Sequence, residues 1–263
     1  MSTLAENVAK VTAAHAALKT AIAAKGVAVP DGTKLSDMPA LVDEIQAMPA
    51  TSRRAVFAYD QSASIVVQNK FVVDLTTEES LAGLFSNCSN LTSFTLPDGL
   101  GQSATNLDAC FISCSSLTSL TLPSGFGQNA TALHRCFYGC SNLTSLTLPA
   151  GFGSNATDLT YCFSYCSALT SLTLPDGFGQ NAARLDSCFR VCTSLTTITG
   201  NPNFRAQLSL SDSTKLTHDS LMVVINGLQT VTTAKTLTLG STNLAKLTDA
   251  EKKVATDKGW TLA

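Results

Sequence analysis

The stretch CSNLTSLTLPAGFGSNATDLTYCF, Cys140 to Phe163, has a near copy beginning at Cys114 and another beginning at Cys166. Cys88, Cys114, Cys140, Cys166 and Cys192 stand 26 residues apart, and so do Cys110, Cys136, Cys162 and Cys188, so one period accounts for all nine cysteines. A fixed period of about 20 to 50 residues marks a solenoid, in which one unit cannot bury its own apolar face and stacking makes the core.

Within each unit, LTSLTLP (Leu117 to Pro123, Leu143 to Pro149, Leu169 to Pro175) places leucines at alternating positions, which predicts a short strand with one buried face that proline ends. The GFG that follows (Gly125 to Gly127, and again at 151 and 177) predicts a turn carrying one buried aromatic ring. In NATDLTYCFSYC, Leu159, Cys162, Phe163 and Cys166 fall at i, i+3, i+4 and i+7, the inward stripe of a short helix. Each coil is expected to run strand, turn, helix. The thiols are expected to form ladders of small buried side chains, since equivalent positions in stacked coils lie roughly 5 Å apart. Disulfides and zinc are the competing uses of such spacing.

The pattern C-x-x-L-x-x-L-x-L-P preceded by C-F-x-x resembles the BspA-like, or treponemal-type, leucine-rich repeat of bacterial surface proteins, in strict form over residues 81–200. The resemblance implies an α/β fold, a right-handed leucine-rich-repeat solenoid with a parallel sheet along one face. Many members of that family are adhesive.

The ends differ from the repeats. Leu4, Val8, Val11, His15, Leu18 and Ile22 alternate by four and three within residues 3–25, the a/d seam of a coiled coil, and Gly26 stops it. A homo-oligomer, a trimer by preference, would bury that stripe, and so would packing on the chain's own second helix, around Asp37 to Met48. The segment AIAAKGVAVPDGTKLSDMPALVDEI, Ala21 to Ile45, resembles a leader at the start of tail and tail-fibre proteins of bacteriophages and prophages, which implies docking to tail or baseplate proteins. Residues 53–75 alternate like strands and are expected to cap the solenoid. Beyond Gly200, LSL at 208, LTL at 237 and WTL at 260 predict three further strands, separated by a helix near Asp219 to Leu228 and another opened by a Thr248 to Glu251 capping box. The expected divisions are a helical attachment region over 1–50, a β cap over 51–80, the solenoid over 81–200, and atypical repeats with a C-terminal cap over 201–263.

Of the 263 residues, 44% are apolar and 14% charged, with a net charge of −2, a balance that argues against nucleic-acid binding. MSTLAENVAKV lacks the apolar core of a secretory signal and no window approaches eighteen apolar residues, so neither signal-dependent export nor membrane insertion is expected. His15, His134 and His218 lie in unrelated segments without a metal-binding or nucleophile arrangement, so no enzyme activity, metal or cofactor is expected.

Variation between copies concentrates at five columns. In register they read Asn106, Asp108, Ala109, Ile112, Ser113; Ala132, His134, Arg135, Tyr138, Gly139; Asp158, Thr160, Tyr161, Ser164, Tyr165; and Arg184, Asp186, Ser187, Arg190, Val191. Three of the four tyrosines of the chain lie there, and Tyr with Arg is the composition of binding hot spots. If these columns project from the outward side of a helix, stacking makes them one patch. Its expected binding residues are Asp108, Ile112, His134, Arg135, Tyr138, Tyr161, Tyr165, Arg184, Asp186 and Arg190, and drift of exposed positions is the competing account. All these residue types are reachable by randomising the first two bases of an AAC codon, as an adenine-mutating retroelement would do. The strand face instead carries uniform columns, Ser93 to Ser171 and Thr95 to Thr199, as a solvated sheet would. The expected function is non-enzymatic binding of a bacterial surface protein or glycan, by a phage or prophage tail protein assembled in the bacterial cytoplasm. A bacterial surface adhesin and a structural scaffold are the alternatives.

Overall fold

The computed structural model describes residues 64–66 and 79–263 with the exception of residue 97. The helices expected within residues 1–50 lie outside the described residues, as does most of the 53–75 segment. One piece of that segment, β1 (Ser64–Val66), pairs in parallel with β2 (Ser93–Thr95), which pairs with β3 (Ser119–Thr121). A second parallel trio comprises β4 (Ser145–Thr147), β5 (Ser171–Leu174) and β6 (Thr197–Gly200). Register follows the period, with Ser93 opposite Ser119 and Ser145 opposite Ser171. Between the trios the Thr144 N–H donates to Thr118 O at 3.3 Å, which carries the stack across.

The interior is the expected one. Leu143, Leu146, Leu159, Cys162, Phe163 and Cys166 and their equivalents from Leu107 to Ile198 are buried, with Cys88 half-buried at the start, which makes one continuous core along the stack. Phe85, Phe111, Phe137, Phe163 and Phe189 form a column of near-parallel rings with centroids 5.0, 5.3, 5.4 and 5.7 Å apart. The GFG phenylalanines form a second column, Phe126 lying 6.4 Å from Phe152. Gly127 has φ +69°, and a Cβ there would stand 2.7 Å from Phe152 Cδ2, so both conformation and space require glycine.

The predicted helix in each coil is not there. From Leu107 to Cys114 the chain makes successive tight turns, with left-handed residues four apart at Ala109 and Ser113, and the same in the following coils at 135 and 139, 161 and 165, 187 and 191. Half of the amides close turns, as Cys110 N–H does on Leu107 O and Ile112 N–H on Ala109 O, both at 3.1 Å. The others cross to the next coil: Leu107 N–H to Ala132 O, Ala109 N–H to His134 O, Phe111 N–H to Cys136 O and Ser113 N–H to Tyr138 O, at 2.7 to 2.9 Å. The reason is spacing. Packed helix axes need about 8–10 Å, whereas paired strands hold coils about 4.8 Å apart. A helix would also use its amides internally, and here they tie one coil to the next on the face opposite the strands.

The same demand explains the repeat's fixed polar residues. Thr118, Thr144, Thr170 and Thr196 each donate a hydroxyl to the backbone carbonyl of the preceding coil, at 2.8 to 3.3 Å. The amides of Asn129, Asn155 and Asn181 do likewise at 2.8 to 2.9 Å. The cysteines are free thiols, and those of Cys114, Cys140, Cys166 and Cys192 donate to the carbonyls of Phe85, Phe111, Phe137 and Phe163 at 3.1 to 3.2 Å.

Past Gly200 the expected strands appear as a third parallel trio, β7 (Leu208–Ser209), β8 (Lys235–Thr238) and β9 (Trp260–Leu262). Helix α1 (His218–Asn226) closes the open edge of β6: the Ile198 N–H donates to Ser220 Oγ at 2.9 Å and the Thr217 N–H to Thr196 O at 2.9 Å. A short helix not anticipated from sequence, α2 (Gly240–Leu244), follows β8; its buried Asn243 amide lies 3.2 Å from the carbonyls of Leu210, Ser213 and Leu239. Helix α3 (Asp249–Asp257) starts with the expected capping box. No described helix is long and apolar enough to cross a membrane.

Candidate functional site

The turn face carries the variable columns, and its backbone fixes where their side chains go. Tyr138, Tyr161 and Tyr165 come together across two coils: the Tyr138 ring lies 5.2 Å from that of Tyr165 and 6.4 Å, edge-on, from that of Tyr161. The Arg135 guanidinium sits over both Tyr138 (5.8 Å) and Tyr161 (5.5 Å), and Arg190 over Tyr165 (5.9 Å). His134 meets the edge of Tyr161 at 6.1 Å. Neither Arg135 nor Arg190 is within salt-bridge distance of a carboxylate among the described residues, so the patch is aromatic and cationic. Stacking over a ring holds each guanidinium in place while leaving its hydrogen-bond donors open. Tyr165, 36% accessible, is the exposed large hydrophobic residue among those described.

Its flanks are polar and internally matched. Asp108 Oδ1 accepts the His134 backbone N–H at 2.7 Å, and partial burial raises its carboxyl above the usual range. Arg184 bridges Asp158 (3.6 Å) and Asp186 (3.3 Å). Burial alone would raise the Asp158 carboxyl, but hydrogen bonding from Thr160 and the Arg184 charge hold it below the usual range. Ile112 is half-buried at the margin.

Not every variable column projects outward. Thr160 and Ser164 are buried, 1% and 0% accessible. Each is a small side chain between larger register neighbours, Thr160 between His134 and Asp186, Ser164 between Tyr138 and Arg190. The Ser164 hydroxyl turns inward to Ser187 O. The other surprise is conformational. Columns 109 and 113 are left-handed throughout, and Arg135, Tyr161, Tyr165 and Val191 adopt φ of 56°, 58°, 61° and 59°. Only the local pattern of Gly83, Asn87 and Gly139 in the same columns signals this in the sequence.

The strand face offers less. Ser119, Thr121, Ser145 and Thr147 are exposed, but the neighbouring Thr118 and Thr144 hydroxyls are occupied by carbonyls of the preceding coil. No group of three or more His, Cys, Asp or Glu is placed to hold a metal among the described residues.

No curated protein matches the chain by sequence. The leucine-rich repeat protein of T. pallidum superposes with a TM-score of 0.51 at 16% identity, over 78% of this chain and 87% of that one, a likeness of fold. A leucine-rich repeat protein from Bacteroides ovatus overlaps more loosely, with a TM-score of 0.23 and 15% identity over 60% of this chain and 51% of that one. The model of the BspA type leucine-rich repeat region, in six copies, matches residues 68–184 and 108–224, together more than half of the chain. With its period, its parallel strands and its buried Leu, Cys and Phe columns, the chain belongs to the BspA-type leucine-rich repeat family.

Proposed function

We propose that this chain is a non-enzymatic receptor-binding protein that engages a bacterial surface through its turn face, with Arg135, Tyr138, Tyr161, Tyr165 and Arg190 at the centre and Asp108, Ile112, His134, Arg184 and Asp186 around them. The observation that carries the reading is the contiguous cluster of three tyrosine rings, with two arginines over them that have no carboxylate partner among the described residues. Such anchors supply most of the energy of a typical interface, and truncating one costs about 2 kcal/mol or more, roughly thirtyfold in affinity. Tyr138→Ala and Tyr165→Ala in the full chain should each lower binding to host cells by that factor without loss of fold. Unchanged binding would move the site to the strand face.

In the preferred setting the protein is part of a phage or prophage tail, docked through residues 1–50 as a homo-oligomer; the support is the leader-like segment Ala21 to Ile45 and the a/d seam before it. A monomer by light scattering, in solution and in the particle, removes the oligomer. The family match favours a second setting, a bacterial surface adhesin. Tail genes beside the coding sequence support the first, and a secretion locus without phage genes the second.

A further inference from the structure

Where the fifth coil meets the C-terminal trio of strands, a cavity of about 230 Å³ opens beside the tyrosine patch. Asp186 and Ser187 form one wall, Gln207 and Ser209 of the β7 segment another, and Thr236 and Thr238 of β8 the third, with Leu208 as the apolar member. Ser187 continues the column of Tyr161, and the Tyr161 N–H donates to Asp186 O at 3.0 Å, so cavity and patch share one coil-to-coil ladder. The lining is rich in unused hydrogen-bonding capacity. Among the described residues the Ser187, Thr236 and Thr238 hydroxyls and the Gln207 amide have no hydrogen-bond partner, and Asp186 uses only Oδ2, on Arg184. Only the Ser209 hydroxyl is engaged, with Ser211 at 3.1 Å.

We infer that this cavity is a subsite for one neutral hexose residue of a surface glycan. Its volume is below the range of about 300–1,000 Å³ that suits drug-sized ligands, which limits it to one ring. Four side chains, Ser187, Gln207, Thr236 and Thr238, both donate and accept, as a polyol requires, and the free Asp186 Oδ1 accepts a further hydroxyl. Arg184 already balances Asp186, so neither a cation nor an anion gains an unpaired counter-charge there, which leaves a neutral sugar as the ligand. The inference deepens the receptor-binding reading by naming a glycan as the receptor, with the tyrosines one to two coils away to stack on the next sugar.

The test is amide and methyl NMR of the full chain titrated with the methyl glycosides of glucose, galactose and mannose, with glucuronic acid as the charged control. At least one neutral hexoside should bind with a dissociation constant of about 1 mM, the strength expected of a few water-exposed hydrogen bonds. The shifts should centre on Thr236 and Thr238. Thr238→Val and Gln207→Ala, both at solvent-accessible side chains, should each weaken binding about tenfold, and glucuronic acid should bind least. Absence of shifts with all three hexosides, shifts located elsewhere, or preference for the charged sugar overturns the inference. Hexoside binding in a Tyr138→Ala, Tyr165→Ala protein that still holds cells as well as the parent would retain the subsite and refute the tyrosine reading. Loss of cell binding in that protein without any hexoside shift in the parent would do the reverse.

Discussion

Cys140→Ser and Cys136→Ser test the thiol ladders, because the two cysteines lie in different columns of one coil and, among the described residues, only the Cys140 column donates its thiols to carbonyls. The Cys140 thiol is fully buried and donates to Phe111 O at 3.2 Å. A serine C–O bond is shorter than a C–S bond, so the hydroxyl points at the same carbonyl but falls short of it unless the turn moves inward. Cys136 is equally buried and its thiol has no acceptor among the described residues, which a thiol tolerates as a small apolar group and a hydroxyl does not. An unsatisfied buried hydroxyl costs about 1–3 kcal/mol. Cys140→Ser should therefore fall near the lower end of that range and Cys136→Ser near the upper, whereas a purely steric account predicts equal costs for two equal changes. Urea unfolding followed by circular dichroism reads this as a larger fall in midpoint for Cys136→Ser at unchanged slope. Thiol modification gives a second readout. Burial pushes the Cys136 and Cys162 thiols far up and the Cys192 thiol to about 12, so the native protein holds almost no reactive thiolate in the core, and Cys88, half-buried, should react first. Equal costs for the two serines, or rapid native-state modification of Cys140, refutes the ladder argument.

Gly127→Ala should cost several kcal/mol, since it adds a Cβ at φ +69° only 2.7 Å from Phe152 Cδ2, whereas Gly139→Ala, also left-handed but 3.6 Å from its nearest neighbour, should cost about 1–2 kcal/mol; equal urea midpoints would refute the difference. Thr248→Ala removes the α3 capping box and should cost about 1 kcal/mol, seen as earlier amide exchange in α3 than in α1. The His218 to Glu251 contact (2.9 Å) joins α1 to α3 and makes their docking pH-dependent. Glu251, then Asp219, raise His218 above the ordinary histidine value of 6.5, so its contribution is complete below 6.5 and lost as pH rises through the higher folded value. The Thr248 amide and then His218 lower Glu251 below 4.5, so its share is present above 4.5 and lost as pH falls through the lower folded value. Protection of the α3 amides, taken relative to their intrinsic exchange rate at each pH, should be greatest between those limits, and His218→Gln should flatten the profile.

The inward pattern was legible because it is redundant: Leu143, Leu146, Cys140 and Phe163 each recur every 26 residues, and each copy votes for the same buried face. The helix was misread because a run of turns with a left-handed residue every fourth position brings Leu107, Cys110, Phe111 and Cys114 inward at the same intervals as one helical face. Periodicity cannot separate the two. The separation between coils can, and it is a property of the stack rather than of any window of sequence. The C-terminal cavity escaped for a related reason, since Asp186, Gln207 and Thr238 come from a periodic segment and two aperiodic ones that only folding brings together.

The backbone also puts a cost on most residues at two of the variable columns. Columns 109 and 113 supply eight positions over four coils, and seven hold a residue other than glycine at positive φ. A left-handed conformation costs an L-residue about 1–2 kcal/mol relative to glycine, and in the coil before, the same columns hold Gly83 and Asn87. Stability alone would favour Gly or Asn there, so bulky residues persist against a cost, which fits positions used for contact. Ser113→Gly removes strain and no hydrogen bond from its side chain, and should stabilise by about 1 kcal/mol. Tyr165→Gly removes the same strain but also the Tyr138 ring pair, worth about 0.5–1.5 kcal/mol, and the Arg190 contact, about 0.5–1 kcal/mol, so its stability should change little. Binding should move in the opposite sense, unchanged for Ser113→Gly and lowered at least tenfold for Tyr165→Gly. If Ser113→Gly destabilises the protein, the left-handed turns store no strain and drift regains its standing; if Tyr165→Gly stabilises it by a full 1 kcal/mol with binding intact, the ring is neither held by its neighbours nor used.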